Sequence, residues 1–413
     1  MLHDNGHGVV VVGASVAGVH AAEALRDNAY SGPITVLDAE PGPASYDRPP
    51  LSKQLLLGEW DLPRAALRAP AALADRHIDT RYGVHAVGLD VDAATVHTSH
   101  GPQPFDGLII ATGATPRRLP GVAPMAGLHG LRTASECLAL RADFERGAEL
   151  VIVGAGFIGM EVAAAARAMG VSVTVVDTLD APMAGQLGRE LGQQLQRLHE
   201  GHGVRFLLGR GVTSVRGVDR VESVELDDGT VLRADVVLVG IGARPVTDWL
   251  SRSGLDTSDG LICDRRLFAA PQIVGAGDVV NWHNPRYDRR MRIEHWTTAM
   301  EHGAVAAGNL LGDADEHRDA DLVPYFWSDQ YGVRIQQAGI TGATTRVVRG
   351  DPDTVVVLSG DADLLTGVIA VGADRAFVRA RRLLRKPCTL DDAEDAVASL
   401  LARGGVGSEP SRR

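Results

Sequence analysis

Twice in this chain, at distant places, an apolar run turns through small residues into helical spacing. Residues 8 to 26, GVVVVGASVAGVHAAEALR, open on valines, turn at Gly13-Ala14-Ser15-Val16-Ala17-Gly18 and continue with small and apolar residues at helical intervals. A buried strand followed by a helix is the plain reading. Residues 149 to 166, ELVIVGAGFIGMEVAAAA, repeat the pattern with an intact G-x-G-x-x-G at Gly154, Gly156 and Gly159. After each copy a second apolar run ends in acid: PITVLDAE carries Asp38 and Glu40, and VSVTVVD closes on Asp177. A helix N-terminus supplies free N–H groups and positive potential for a pyrophosphate, and the acid accepts ribose hydroxyls. Close helix–strand packing alone can call for glycines, so a single copy would say little; two copies, each in the right order, point to two dinucleotide sites. Ser15 stands where the first copy would have its middle glycine.

With 413 residues, 45% of them hydrophobic, the chain can bury large cores and should form two or three domains. LIIATGATPRRLPG (108–121) and VVLVGIGARPVT (236–247) are each an apolar strand ending in small residues and proline, as expected where the chain crosses between domains; they contain Thr112 and Gly242. IVGAGDVV (273–280) is a strand leading to Asp278, which can reach a ribityl or pyrophosphate group through a glycine turn. The expected fold class is α/β, with two Rossmann-like dinucleotide-binding domains and a small α+β C-terminal domain. An FAD-binding domain is read in two pieces, 1–120 and 245–322, with an NADH-binding domain, 121–244, inserted between them. From 323 to 413 the strand-like runs VRIQQAGI, TVVVLSG and LTGVIAV and the helix DRAFVRARRLLR make the third domain, and the tail GGVGSEPSRR reads as disordered.

Forty-one basic residues against fifty-two acidic ones give a net charge of -11 without a dominant basic block, which argues against a nucleic-acid partner. No apolar run has the length of a membrane span, and MLHDNGHG has no basic region before the first apolar stretch, so the chain reads as cytoplasmic with no membrane partner. Cys137, Cys263 and Cys388, odd in number and far apart, suit reduced thiols. His283, His295 and His302 lack a second pair at ligand spacing, so no metal is expected. Oligomeric state is left open.

Residues 46 to 53 read YDRPPLSK. Two prolines remove two backbone donors and push each preceding residue toward extended geometry, which predicts a stiff, shaped loop. Ser52 is placed to cap a short helix, KQLLLG, that stops at Gly58. Lys53 then lies in a first helical turn, where the macrodipole disfavours a cation by about 0.3–1 kcal/mol. It is also one of only two lysines among forty-one basic residues. A charge set against local preference, in a chain that otherwise uses arginine, invites a functional explanation.

The order GASVAG, YDRPPLSK, ATGATPR, GAGFIGMEVAA, GIGARP, GAGD, RIEHW and PYFWSDQYG resembles the FAD-dependent, NADH-linked ferredoxin reductases of bacterial cytochrome P450 and Rieske oxygenase systems, over roughly residues 1 to 385. This family, which includes the putidaredoxin, rhodocoxin and biphenyl-dioxygenase reductases, has a glutathione-reductase-like fold. The resemblance implies that Ala17, Lys53, Arg132, Asp278 and Trp296 touch non-covalent FAD, with a backbone contact from Ala86. It implies that Phe157 lies over the flavin until nicotinamide displaces it, and that Glu161 sits beside nicotinamide and flavin. The family often has Asp at the position of Ala39; here Asp38 or Glu40 must take the FAD ribose. Arg48, Thr112, Ile158 and Gly242 complete the cofactor-binding candidates, with Lys53, Glu161 and Trp327 as the catalytic ones. Lys53 is read as an ammonium near flavin N5, paired with Glu161. The implied partner is a [2Fe-2S] ferredoxin and, indirectly, a P450 or Rieske oxygenase. Two basic clusters, Arg286, Arg289, Arg290 and Arg292, and Arg379, Arg381, Arg382, Arg385 and Lys386, are candidates for steering an acidic ferredoxin.

Related folds run thiol chemistry, which needs a cysteine against the flavin soon after the first glycine turn; no cysteine precedes Cys137. The alternatives left are an NADH oxidase or quinone reductase with a small acceptor, and a slow flavin-binding regulatory protein. Thr178, Leu179 and Asp180 follow Asp177, so a 2'-phosphate would meet negative charge and no arginine. NADH is therefore expected to exceed NADPH in kcat/KM, and steady-state kinetics with the two coenzymes checks this: comparable values would contradict it.

Overall fold

The computed structural model describes residues 5–42, 45–350 and 354–404, in two compact units, Met1–Asp321 and Leu322–Arg413. In the first unit the valine run forms the strand Val9–Val12, buried along its whole length, because parallel neighbours flank it: Ile34–Asp38 on one side and Gly107–Ile110 on the other. Ile78–Tyr82 extends this sheet beyond Ile34–Asp38, and Ile273–Gly275 joins it beyond Gly107–Ile110. The chain thus leaves the sheet after Ile110 and returns to it more than a hundred residues later.

In between lies a second parallel sheet, in the order Arg205–Leu208, Ser172–Asp177, Glu149–Val153, Val236–Val239, Leu128–His129. The antiparallel strands Val212–Arg216, Ser223–Leu226 and Val231–Arg233 lay Val215, Val224 and Leu226 into one core with Val151, Val176 and Val237. The two sheets are joined by a two-stranded ribbon in which Ala114–Pro116 runs antiparallel to Ala243–Pro245. Its ends are tied by the Thr112 hydroxyl, which donates to the Val246 carbonyl at 2.8 Å, and by the Arg117 amide, which donates to Gly242 at 2.9 Å.

Helix Val16–Asp27, which follows the first glycine turn, packs on helix Trp296–Leu311. The approach is close: a β-carbon on Gly303 would lie 2.5 Å from the Ala17 carbonyl oxygen. The neighbouring His302 is fully buried, accepts the Gly277 amide on Nδ1 at 3.3 Å and meets the Trp282 ring edge-to-face at 4.4 Å. Its imidazole therefore helps hold the turn that carries Asp278.

The second unit is an antiparallel sheet in the order Tyr325–Gln330, Val333–Gly339, Leu364–Val371, Val355–Asp361, Thr344–Arg349. Helices Asp374–Leu383 and Leu390–Gly404 cover one face, where Phe377, Ala380, Leu390 and Val397 meet Ala338, Val356, Leu358, Val368 and Ala370. The expected α/β class with a small α+β C-terminal domain is what the chain adopts. The tail from residue 405 lies outside the described residues. Among the described residues no helix is long and apolar enough to cross a membrane.

Burial pushes His302 down to about 3 from its ordinary 6.5. Between those values the unfolded chain binds a proton that the folded protein refuses, so this contribution to stability is complete above pH 6.5 and lost as pH falls toward 3. The unfolding temperature should therefore drop on acidification from neutral pH to about pH 5. His302→Gln, although less stable at neutral pH, should drop less over the same range, as differential scanning calorimetry can measure.

Candidate functional site

The two glycine turns superimpose in their contacts. Gly13 and Gly154 have φ of +110° and +104°, and a β-carbon on either would lie 2.2 or 2.3 Å from the carbonyl oxygen of Ala111 or Gly240. The last glycines, Gly18 and Gly159, pass so near Gly13 and Gly154 that a β-carbon would sit 1.8 or 2.4 Å from their carbonyl oxygens. Only the middle position is free. A β-carbon on Gly156 would meet nothing within 4 Å, and Ser15 has an ordinary φ of -89°. Serine for glycine is thus tolerated at the one place in the turn where neither backbone angle nor packing forbids it. Neither helix has an acidic residue in its first turn, so no side chain of that turn competes with a bound anion for the positive N-terminus.

The acids after the second strands superimpose as well. Asp38 accepts the Ala14 and Glu40 amides at 2.7 and 2.8 Å; Asp177 accepts the Ala155 and Leu179 amides at 2.6 and 2.7 Å. Each carboxylate is fixed beside its glycine turn with lone pairs to spare. Burial raises the Asp38 carboxyl above its usual range, against the lowering effect of those two amides. Glu40 is engaged elsewhere, by Arg48 at 2.7 Å and by the Tyr46 hydroxyl, so only Asp38 holds the position equivalent to Asp177.

The loop YDRPPLSK is stiff but not extended. Arg48 is helical, with φ -81° and ψ -31°, although it precedes Pro49, and Pro49–Ser52 forms a single 3-10 turn closed by Leu51 N–H to Arg48 and Lys53 N–H to Pro50. Side-chain anchors override the local preference of the residue before proline. The Arg48 guanidinium donates to Glu40, to the Arg132 carbonyl and, at 3.4 Å, to Ser15 at the head of the first helix. Burial opposes its charge, but Glu40, Tyr46 and Asp38 outweigh that and raise its pKa. Tyr46 accepts the Ala134 amide at 2.9 Å, and Asp47 accepts the Trp296 indole N–H at 2.8 Å.

Ser52 does not cap the next helix, as the sequence suggests. Lys53 occupies the N-cap of Gln54–Leu57 without a side-chain cap bond, and the helix does stop at Gly58, in the left-handed conformation. The Ser52 hydroxyl instead donates to Glu161 Oε2, and Lys53 Nζ lies 2.8 Å from the same oxygen. Glu161 is one turn below Phe157 on the helix Phe157–Ala168, so the half-buried Phe157 and the buried Glu161 share a face. Ile158 next to it is 48% exposed. Serine beside lysine is visible in the sequence; that both meet a glutamate more than a hundred residues away is a tertiary fact.

Arg132 approaches from a third side. Its amide and that of Thr133 donate to Glu136, which forms a capping box with Thr133 on helix Ala134–Phe144, and its guanidinium reaches Asp278 at 3.0 Å. The structure therefore brings Ser15, Glu40, Arg48, Arg132, Asp278, Trp296, Lys53 and Glu161 into one connected network around the loop. Thr112 and Gly242 sit at the ribbon, where the Thr112 hydroxyl is engaged by Val246. Ala86 begins the strand Ala86–Asp90. Trp327 lies in the other unit, stacked with Tyr325 at 5.9 Å.

Two dinucleotide folds meeting at a buried ammonium–carboxylate pair define a two-nucleotide reductase. The chain belongs to the pyridine nucleotide-disulphide oxidoreductase family, whose profile matches residues 7–303, and it carries a reductase C-terminal domain over 325–400. It is similar to rhodocoxin reductase of Rhodococcus erythropolis, 37% identical over 94% of this chain and 92% of that protein. It is 38% identical to the ferredoxin–NAD(+) reductase component of the anthranilate 1,2-dioxygenase system of Burkholderia cepacia, over 91% and 93% of the two chains. Among solved structures it matches the covalent putidaredoxin reductase–putidaredoxin complex with a TM-score of 0.89 at 29% identity, covering 96% of this chain and 99% of that one. The family expected from the motifs is thus the right one, and its cofactors are FAD and NADH. The close-packed glycine turns, with an open middle position at Gly156 and a serine hydroxyl at Ser15, and the oriented carboxylates Asp38 and Asp177 fit two dinucleotides.

Arg48 is the half-buried cation beside the first turn, so Arg48→Ala should weaken FAD retention about 10- to 100-fold, the usual worth of a hydrogen bond to a charged group. Arg48→Lys should restore little, because an ammonium cannot span the same three partners. Flavin release from the purified proteins measures both.

Proposed function

We infer that this protein takes hydride from NADH and passes electrons singly to a [2Fe-2S] ferredoxin that serves a P450 or Rieske oxygenase, in the cytoplasm. The observation that carries this reading is the Lys53–Glu161 pair, buried where the loop of one dinucleotide fold touches the second helix of the other. Bound flavin accepts electrons as a pair and releases them one at a time, matching a hydride donor to a one-electron acceptor. The chain supplies position and charge. Gly13, Ala14, Ser15, Ala17 and Arg48 receive the FAD pyrophosphate, Asp38 its ribose and Ala86 the adenine side, while Arg132, Asp278 and Trp296 hold the remainder. Gly154, Gly156 and Gly159 receive the NADH pyrophosphate and Asp177 the ribose. Phe157 would cover the flavin face that nicotinamide takes, and Lys53 would bring an ammonium to the flavin from its place beside Glu161, a charge already present before hydride arrives. The domains assigned to these roles are 1–120 with 245–322 for FAD, 121–244 for NADH and 323–413 for the partner.

Thiol chemistry has no support in the cysteines. Burial pushes the Cys137 thiol up to about 11, where it donates to the Leu51 carbonyl, and burial raises Cys263 and Cys388 as well. None is a poised thiolate.

The two basic clusters fare differently. Arg286 pairs with Asp321 at 2.9 Å, Arg292 pairs with Asp259 and Glu294, and Arg290 donates to the carbonyls of Cys263 and Asn281, so three of the four cations in the first cluster are engaged at home. On the helix Asp374–Leu383 and just beyond, Arg379, Arg382, Arg385 and Lys386 are exposed, and among the described residues none has a carboxylate within 4 Å. Arg381 lies 3.9 Å over the Tyr325 ring, which stacks on Trp327. The second cluster, next to these aromatics in the C-terminal unit, is where an acidic ferredoxin is best received, with Trp327 the electron-transfer candidate on that unit.

The test is NADH consumption in air with and without a [2Fe-2S] ferredoxin coupled to cytochrome c, with peroxide counted. Ferredoxin should accelerate turnover many-fold with little peroxide, and the rate should fall steeply with salt. Turnover indifferent to ferredoxin and balanced by peroxide would instead mark an oxidase; a flat salt profile would remove the steering role.

A further inference from the structure

Consecutive residues of one loop send two donors to a single oxygen, Glu161 Oε2: Lys53 through its ammonium and Ser52 through its hydroxyl. They differ in freedom. Ser52 is the last residue of the 3-10 turn, only 5% exposed, and its short side chain keeps Oγ within 3.4 Å of the Pro49 carbonyl. The turn is held from behind by the Cys137 thiol on the Leu51 carbonyl at 3.1 Å. Lys53 has three N–H donors on a flexible four-carbon stem. The hydroxyl is therefore a fixed tether and the ammonium a movable one.

We propose that Ser52 is a positioning residue that anchors Glu161 independently of Lys53, leaving the ammonium free to divide its hydrogen bonds between Glu161 and the flavin. The proposal rests on the reading that Lys53 faces the flavin. A buried carboxylate loses compensation whenever a paired cation tilts away, and weakening the compensation of a buried charge is costly. A hydroxyl donated to the same oxygen keeps the charged form solvated by the protein and holds its place beside the nicotinamide site. It also ties the helix after the second glycine turn to the loop of the first fold, so that the two halves keep their spacing while the ammonium moves.

Four proteins test this: Ser52→Ala, Ser52→Thr, Glu161→Ala, and Ser52→Ala combined with Glu161→Ala. Each is compared in FAD content, flavin midpoint potential, NAD+ affinity of the oxidised protein by titration, and rate of flavin reduction at saturating NADH. Ser52→Ala should retain FAD, bind NAD+ about tenfold more weakly and reduce about tenfold more slowly, the scale of one hydrogen bond to a charged group. Ser52→Thr, which keeps the hydroxyl, should recover most of both. Ser52→Ala should add nothing once Glu161 is Ala. Wild-type affinity and rate in Ser52→Ala, a Thr variant as impaired as the Ala one, or additive losses in the double variant would each overturn the proposal. Lys53→Met run alongside separates the two readings. If it leaves the flavin potential and reduction rate unchanged, the placement of Lys53 at the flavin is wrong; if it is slow while Ser52→Ala is wild-type, only the role of Ser52 falls.

Discussion

A carboxylate with 7% of its side chain exposed must be compensated, and Glu161 is compensated from across the molecule. Its helix belongs to the second dinucleotide fold; its partners Ser52 and Lys53 belong to a loop of the first. Removing the pair's cation alone would leave a buried charge, a loss of several kcal/mol on the usual scale of about 3–5 kcal/mol. That asymmetry makes the loop's position a requirement of the fold as much as of the chemistry. The other loop contacts follow from it: Trp296 on Asp47, Ala134 on Tyr46, and Glu40, Ser15 and Arg132 on Arg48 each take up one residue of the same short stretch.

The two dinucleotide folds solve the same geometric problem with the same contacts and then diverge. First and last glycines are dictated by backbone approach in both, and the acids Asp38 and Asp177 are held by matching amides. The divergence is at the middle position. Gly156 leaves its turn open, whereas Ser15 brings a hydroxyl that Arg48 reaches. On the proposed assignment, a backbone-only anion site thereby becomes one reinforced by a guanidinium, as suits a cofactor that stays bound beside a coenzyme that must leave after each turnover.

The C-terminal unit contributes by its surface. Its helix buries Phe377 and Ala380 against the sheet and turns Arg379 and Arg382 to solvent, so a charged face costs the core nothing. The overall negative charge of the chain hides this local excess of cations.

Much of this was legible in the residues. Strand–turn–helix order, the glycines at Gly13, Gly18, Gly154 and Gly159 and the terminal acids are local patterns, and local patterns follow from backbone sterics and side-chain periodicity. The rest depended on which segments meet. Asp38 and Glu40, two residues apart, were equivalent in the sequence until Arg48 and Tyr46 took Glu40. Arg48 was expected to be extended before proline, but its three anchors, none adjacent in sequence, hold it helical. Four clustered arginines at 286–292 read as a docking patch in the sequence, whereas in the fold Arg286, Arg290 and Arg292 are engaged by carboxylates and carbonyls beside them. Ser52 read as a helix cap because capping is the local use of serine, while its true partner lies on another fold. Propensity and spacing determine what each segment becomes; only tertiary packing decides which charge answers which, because Coulombic and hydrogen-bond partners are chosen by distance in space and not along the chain.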